Sequence, residues 1–146
     1  MNIRPYTSGD FTQVSNIYAQ GKLDELVFEL KEFTLVPLSL DKKRFSVFQQ
    51  SNVFVYGQDK VLGYVAIHQS EISSLFVHPN ERGKAIGAQL LKYALSQGLP
   101  PMTLQVVTSN TPAKNLYLKQ GVKKQSSLLA EYNGVKVWVD NMIYEA

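Results

Sequence analysis

The spacing of hydrophobic residues changes several times along the chain and predicts alternating helices and strands. Apolar residues recur at intervals of three and four in some segments, whereas other segments are short runs rich in β-branched and aromatic residues. The predicted order is β α α β β β α β α β β, which indicates an α+β (α/β-like) domain with a mixed sheet flanked by helices. Strands are expected at 3–6, 53–56, 61–69, 72–77, 102–107, 125–132 and 135–144, and helices near 11–18, 41–50, 86–95 and 111–120.

The segment Lys22 to Leu40 has no clean period, so helix and loop both remain open there. It carries four acidic residues among apolar ones, and these could attract a cationic group or lie exposed to solvent.

The most informative segment is 75–91, which reads as an apolar strand, a tight basic turn and an amphipathic helix. Small residues in the turn let the backbone come close to a ligand. The first N–H groups of a helix have no partner within it, and the helix dipole adds partial positive charge there. Such a turn is suited to phosphate, which Arg82 and Lys84 would reinforce, although both could be ordinary surface charges.

Composition narrows the class of protein. The chain has 146 residues, of which 45% are hydrophobic, so we expect one domain, 1–146, with a real core. Cysteine is absent, and no group of His, Asp and Glu has metal-ligand spacing, so we expect neither a thiol nucleophile nor a metal. No apolar run is long enough to span a bilayer and no secretory signal is evident, which favours a cytoplasmic protein without a membrane partner.

A second pattern at residues 110–121 completes a resemblance to a known family. Its members are Asn110, Ala113, Leu116, Tyr117 and Gly121. Together with Arg82, Ala85 and Gly87 in the first turn, they make the chain resemble a GNAT-superfamily N-acetyltransferase over nearly its whole length.

The resemblance implies a sheet of about seven mostly antiparallel strands with about four helices. It also implies acetyl-CoA as co-substrate and an amine as acceptor. In that family the pyrophosphate lies on the turn amides, the pantetheine arm pairs with the preceding strand, and the thioester lies where the two motif strands splay apart. The residues expected to bind the cofactor are Leu75, Phe76, Val77, Arg82, Gly83, Lys84, Ala85, Ile86, Gly87, Ala88 and Asn110.

Two positions depart from the family pattern. Ala85 replaces the more usual glycine, and we expect its methyl group to be tolerated if the backbone there is already helical. Val122 replaces a frequent phenylalanine, which removes an aromatic packing group. Asn110 is expected to cap its helix or to hydrogen-bond the cofactor arm, and the two roles can coexist.

Tyr117 and Glu71 are the candidate catalytic residues. A phenol can donate a proton to the departing thiolate, although Tyr117 could equally be a core aromatic at helical spacing. Glu71 could deprotonate the amine through water or simply be a solvated strand-end carboxylate. His68 and His78 are further candidates, with a turn role favoured for His78. A backbone N–H near Phe76 or Val77 is the expected oxyanion donor. Ser73 and Ser74 have no recognisable nucleophile context, so direct transfer is favoured over an acyl-enzyme.

The acceptor stays open between small-molecule amines and peptide or protein amines, with Lys22 to Leu40 expected to form one wall of its site. A rival interpretation is an acyl-CoA-binding or protein-interaction module without catalysis. A nucleic-acid partner is not expected, because the net charge of +3 is modest and the basic residues are scattered. A homodimer is possible through the last hairpin, which could offer an edge strand. The enzymatic interpretation requires that the Tyr117 hydroxyl face a cleft bordered by the turn.

Overall fold

The structure, a computed structural model, describes residues 2–145 and confirms the predicted order of elements. The strands are β1 (Ile3–Pro5), β2 (Asn52–Tyr56), β3 (Gly63–His68), β4 (Glu71–Val77), β5 (Met102–Val107), β6 (Lys123–Tyr132) and β7 (Val135–Tyr144). The helices are α1 (Phe11–Glu25), α2 (Lys42–Gln50), α3 (Ile86–Gln97) and α4 (Thr111–Lys119), with short 3-10 turns at Ser8–Asp10, Leu38–Leu40 and Pro79–Glu81.

The seven strands form one sheet in the order β1-β2-β3-β4-β5-β7-β6. Every neighbouring pair is antiparallel except β4 and β5, which run parallel in the middle of the sheet. The carboxyl ends of β4 and β5 therefore lie at the same edge of the sheet. The two sequence motifs directly follow these two strand ends, so the fold brings them together.

Helix α1 begins after a short turn at Thr7–Asp10. The backbone N–H of Thr7 donates to Asp10 Oδ2 at 2.9 Å, as expected for a capping box. Arg4 of β1 holds the same carboxylate through two hydrogen bonds of 2.8 Å. These bonds lower the pKa of Asp10 to about 2, chiefly because the Arg4 guanidinium stabilises the charged form. The helix runs to Glu25, so the start of the unpatterned segment is helical and the rest is loop and a 3-10 turn.

The sheet separates two apolar layers. On one face, the stripe predicted for α3 is buried against the sheet together with α4; its members are Ile86, Leu90, Leu91, Ala94 and Leu95. On the other face, α1 and α2 pack through Val14, Ile17, Tyr18 and Phe48. Val122 is 1% exposed and belongs to the first layer, so the smaller side chain fills a core position.

The hairpin between β6 and β7 turns at Asn133 and Gly134, which have φ of 49° and 83°. Two successive left-handed residues define the tight turn that this dipeptide predicts. Strand β6 lies at the edge of the sheet. Within residues 2–145, no helix combines the length and apolar character needed to cross a membrane.

Candidate active site

Strands β4 and β5 pair only where they begin. Their register joins Glu71 to Thr103 and Ile72 to Leu104 and then stops. On its other side β4 stays paired with β3 to its end, where Val77 lies opposite Gly63. Beyond Ile72 the strands therefore diverge, and the edge of β4 that faces β5 is free of a strand partner. This gap is the splay that the family resemblance implies.

The basic turn leads directly into α3. Gln89 is the first helical residue seen to donate its N–H, to the Ala85 carbonyl at 3.1 Å. The N–H groups of residues 86–88 precede it and have no partner within the helix. Gly83 has φ of 79°, and a Cβ at this position would meet nothing within 4 Å. The turn thus exposes backbone donors beside open space, an arrangement that fits a phosphate group.

Ala85 corrects one expectation from the sequence. Its backbone is left-handed, with φ of 61° and ψ of 19°, and not right-handed helical as assumed. The turn needs this conformation to start α3, and it costs a residue with a Cβ about 1–2 kcal/mol. Alanine therefore strains a position where glycine would not.

Two cavities meet at the splay, and Tyr117 lines both. The first, here called the turn cavity, has a volume of about 360 Å³. Its lining comes from α1, the end of β4, the basic turn, β5 and the start of α4, and includes Gly21, Asp24, Leu75, Phe76, Val77, Arg82, Asn110 and Ala113. The second, here called the α2 cavity, has a volume of about 370 Å³ and lies among α1, α2, β4, β5 and the β6–β7 hairpin. Glu25, Leu75, Phe76, Gln105 and Tyr117 border both cavities.

Tyr117 is 8% exposed, yet it lies on the wall between the two cavities. It is both a member of the apolar layer and a cavity residue, so its core position is compatible with the expected role of proton donor. Burial raises the pKa of Tyr117, and the negative charge of Glu25 raises it further. The phenol is therefore protonated at neutral pH and can act as a proton donor.

Glu71 lines the α2 cavity but not the turn cavity. Burial raises the pKa of Glu71, and His68, its cross-strand partner, partly offsets this. Ser73 and Ser74 also line the α2 cavity. His78 is placed in a turn as expected, where its Nδ1 accepts the N–H of Asn80 at 3.1 Å.

The two basic residues of the turn are engaged with carboxylates. Arg82 pairs with Asp24 at the end of α1, across the turn cavity that both residues line. Lys84 pairs with Glu81 at 3.0 Å and is well exposed. A phosphate on the turn would have to draw Arg82 from Asp24 or bind beside the pair.

Asn110 corrects a second expectation. It occupies the N-cap position of α4, but its side chain makes no capping hydrogen bond. A capping side chain accepts from the second or third helical N–H, and Pro112 removes the first of these donors. The backbone carbonyl of Asn110 accepts from Lys114 at 3.1 Å, while the residue lines the turn cavity.

Helix α4 is fixed by a buried carboxylate that sequence reasoning did not single out. Asp140 of β7 is fully buried and accepts from Thr108 Oγ1 at 2.7 Å and from Ser127 Oγ at 2.9 Å. Lys114 Nζ lies 3.0 Å from its other oxygen. Burial alone would raise the pKa of Asp140, but these bonds together lower it. The ion pair holds the start of α4, and so supports Tyr117, one turn further along.

Gly21 is another residue that sequence reasoning missed. A Cβ there would lie 2.3 Å from Phe76 Cδ1, so α1 packs its backbone directly on the ring. Phe76 in turn borders both cavities. The available signal was a glycine inside a helical pattern, which often marks a close approach.

Comparison with known proteins agrees with this geometry. A sequence model of the acetyltransferase (GNAT) family matches residues 17–122. The chain belongs to that family. The resemblance recognised from its two motifs is therefore confirmed.

The GNAT chain is similar to the peptidyl-lysine N-acetyltransferase YjaB of Salmonella typhimurium, with 32% identity over 92 residues. That match spans 63% of this chain and 63% of the relative, less than two thirds of its length. Among solved structures, a GCN5-related N-acetyltransferase from Rhodopseudomonas palustris superposes with a TM-score of 0.78 at 17% identity, covering 99% of this chain and 94% of that one. YncA from Salmonella typhimurium, solved with its cofactor acetyl-CoA, has a TM-score of 0.73 at 19% identity, covering 99% and 93%. These likenesses confirm the predicted fold.

Proposed function

We propose that this GNAT chain transfers the acetyl group of acetyl-CoA to a primary amine while both substrates are bound. The observation that carries the proposal is the position of Tyr117 on the wall shared by the two cavities. One cavity is bordered by Arg82 of the turn that carries the free N–H donors, and the other is lined by carboxylates suited to an amine. A phenol between the two cavities could donate a proton in a reaction between acetyl-CoA in one cavity and an amine in the other.

The turn cavity has the features that acetyl-CoA needs. The N–H groups of residues 86–88 are available to the pyrophosphate. The unpaired edge of β4 at 75–77 is available to the amides of the pantetheine arm, which would add to the sheet like a short strand. Asn110 keeps its side chain free of the helix cap and lines the same cavity.

The thioester supplies an acyl carbon with a good leaving group. The amine nitrogen forms a bond to that carbon, the carbon–sulfur bond breaks, and coenzyme A leaves as the thiol. Tyr117 gives its proton to the departing sulfur and recovers one from solvent. A backbone N–H near Phe76 or Val77 stabilises the oxygen of the acyl group as charge develops on it.

The amine must lose a proton before it attacks, and two carboxylates are placed to accept it. Glu71 lies at the start of β4, about 13 Å of strand before Leu75, so it would act through water. Its pKa is raised by burial, which makes it a stronger base than a solvated glutamate. Glu25 borders both cavities and is the nearer alternative, although Lys22 already pairs with it at 2.6 Å.

Two measurements on the purified chain test the proposal. Calorimetric titration with acetyl-CoA should show binding, and a thiol-release assay with a panel of primary amines should show coenzyme A produced only when an amine is present. Binding without release across the whole panel would instead support a non-catalytic acyl-CoA-binding module. Absence of binding would overturn both.

A further inference from the structure

The α2 cavity contains a buried hydroxyl without a partner. Tyr18 of α1 is 2% exposed, and its hydroxyl has no hydrogen-bond partner in the part of the chain that the structure describes. Its ring packs edge-on against Phe76, with centroids 5.9 Å apart, and Tyr18 lines the α2 cavity. Buried polar groups are nearly always satisfied, so this hydroxyl calls for a partner that enters the cavity.

Two cations converge on one aromatic ring that lines the same cavity as this hydroxyl. Arg44 Cζ lies 4.7 Å and Lys22 Nζ 5.1 Å from the centroid of the same ring, that of Tyr132. Tyr132 is itself buried and accepts the N–H of Val36 at 3.2 Å, so the ring is a fixed platform. All three of these side chains line the α2 cavity with Tyr18.

Neither cation is saturated by the carboxylate it already has. Arg44 Nη1 donates to Asp41 at 3.0 Å, and no bond from its remaining guanidinium donors is seen within residues 2–145. Lys22 pairs with Glu25 at 2.6 Å, which uses one of its three donors. A fork of free N–H groups, an ammonium and a hydroxyl donor together match the two oxygens of a carboxylate.

We propose that the acceptor amine carries a carboxylate on the same small molecule, and that Arg44, Lys22 and Tyr18 bind it. This inference rests on the proposed acetyl transfer and names its acceptor class. Tyr18 packs on Phe76, which borders both cavities, so a carboxylate held at Tyr18 places a nearby amine towards Tyr117. Glu25 and Glu71 line the same cavity and suit the positive charge of that amine. A volume of about 370 Å³ accommodates an amino acid.

The test compares acceptors that differ only in the carboxylate. Glycine, leucine, phenylalanine and glutamate are each assayed against the corresponding C-terminal amide, with a lysine peptide blocked at both ends as a further acceptor. For at least one pair we expect KM to be about tenfold or more lower for the free acid than for its amide. The blocked peptide should be a poorer acceptor than the best free acid.

Variants then show which side chains discriminate between the free acid and its amide. Tyr18→Phe removes only the unpartnered hydroxyl and should keep the fold, while Arg44→Gln removes the guanidinium. Each should raise KM for the best free acid severalfold or more and leave KM for its amide and the affinity for acetyl-CoA unchanged. Lys42→Gln, which removes an exposed charge from the same helix, should change none of these values. Binding of acid and amide by calorimetry, without acetyl-CoA, gives a readout that does not require turnover.

The outcomes separate the two proposals. Equal use and equal binding of acids and amides, or a preference for the blocked lysine peptide, would overturn the carboxylate site while leaving acetyl transfer intact. A preference in binding that depends on Tyr18 and Arg44, without any coenzyme A release, would support the site and overturn the proposed transfer.

Discussion

The two cavities that meet at Tyr117 are built from different parts of the chain. The turn cavity is bordered through Arg82 by one continuous segment, residues 82–88, which carries backbone N–H groups without helix partners. The α2 cavity draws its polar groups from side chains of α1, α2, β4 and β6, which are far apart in sequence. Backbone N–H groups are present in any chain with the same turn, whereas a side chain can be replaced by a single substitution. The comparison explains how one fold can retain its cofactor site while substitutions in the other cavity change the acceptor.

The largest effect is expected at the wall between the cavities. Tyr117→Phe should lower kcat by about 10²-fold or more, because it removes the proton donor for the departing thiolate. The affinity for acetyl-CoA by calorimetry should change little. Tyr93→Phe is the matched control, since Tyr93 is a half-buried aromatic of α3 that packs on Phe54 with centroids 5.0 Å apart. Equal rates in both variants would return Tyr117 to a purely structural role.

A change confined to the α2 cavity should alter the pH dependence of kcat/KM. The base must be deprotonated, and burial raises the pKa of Glu71, so kcat/KM should fall as pH drops through that raised pKa. Glu71→Gln should lower kcat/KM by roughly 10- to 100-fold and remove this acid limb. Glu131→Gln, an exposed residue of the same cavity, serves as control. If Glu25→Gln removes the limb and Glu71→Gln does not, the base is Glu25.

A change in the basic turn should weaken acetyl-CoA binding and leave acceptor binding unchanged. Gly87→Glu should weaken acetyl-CoA binding by about tenfold or more, because it adds a negative charge beside the proposed phosphate site. Gly87→Ala is the control, since its Cβ would make ordinary contacts of 3.5 and 3.6 Å with Leu116 and Val77. Arg82→Ala should weaken binding less, as part of its charge is already offset by Asp24. Unchanged affinity in both Gly87→Glu and Arg82→Ala would remove the turn from the site.

Gly21→Ala should disturb both cavities together. The added methyl must displace Phe76, at a cost of roughly 1–3 kcal/mol of the free energy of unfolding. Gly98→Ala is the matched control. Its Cβ would lie 2.3 Å from Met102 Sδ, and neither residue lines either cavity. Both variants should lose stability in denaturant titrations, but only Gly21→Ala should raise KM for both substrates. Similar kinetics in the two variants would contradict the role given to Phe76.

The smallest effect should come from the strained turn residue. Ala85→Gly should raise the free energy of unfolding by up to about 1 kcal/mol, because relief of the left-handed strain outweighs the added entropy of the unfolded chain. Ala88→Gly, placed in the right-handed first turn of α3, should instead lower it by about 1 kcal/mol. Thermal unfolding of the two variants checks the opposite signs. A loss of stability in Ala85→Gly would show that the strain argument is wrong.

The contrast between the cavities also explains what the sequence could predict. Helix and strand order, the amphipathic character of α3 and the last hairpin follow from local periodicity and turn chemistry, and all were found. The turn proposed to bind phosphate could be anticipated because its residues are contiguous. The convergence of Tyr18, Arg44 and Tyr132 could not, because it depends on how α1, α2 and β6 pack.

Two local expectations were wrong for reasons that only backbone geometry supplies. The methyl group of Ala85 was expected to be tolerated if the backbone there is helical, but the entry into α3 has a left-handed residue at this position. Asn110 was expected to cap α4 with its side chain, but Pro112 removes one of the donors that a cap uses. The roles of Tyr117, Glu71 and the turn residues stay predictions until the variants above are measured.

The Arg82–Asp24 ion pair has a consequence for how the substrates influence one another. Asp24 and Glu25 are adjacent at the end of α1; the first borders the turn cavity and the second borders both cavities. A phosphate that draws Arg82 from Asp24 changes the balance of charge at that helix end, where an incoming ammonium would also act. Thermodynamic linkage makes such cooperativity reciprocal: whatever factor the nucleotide imposes on acceptor affinity, the acceptor imposes equally on the nucleotide.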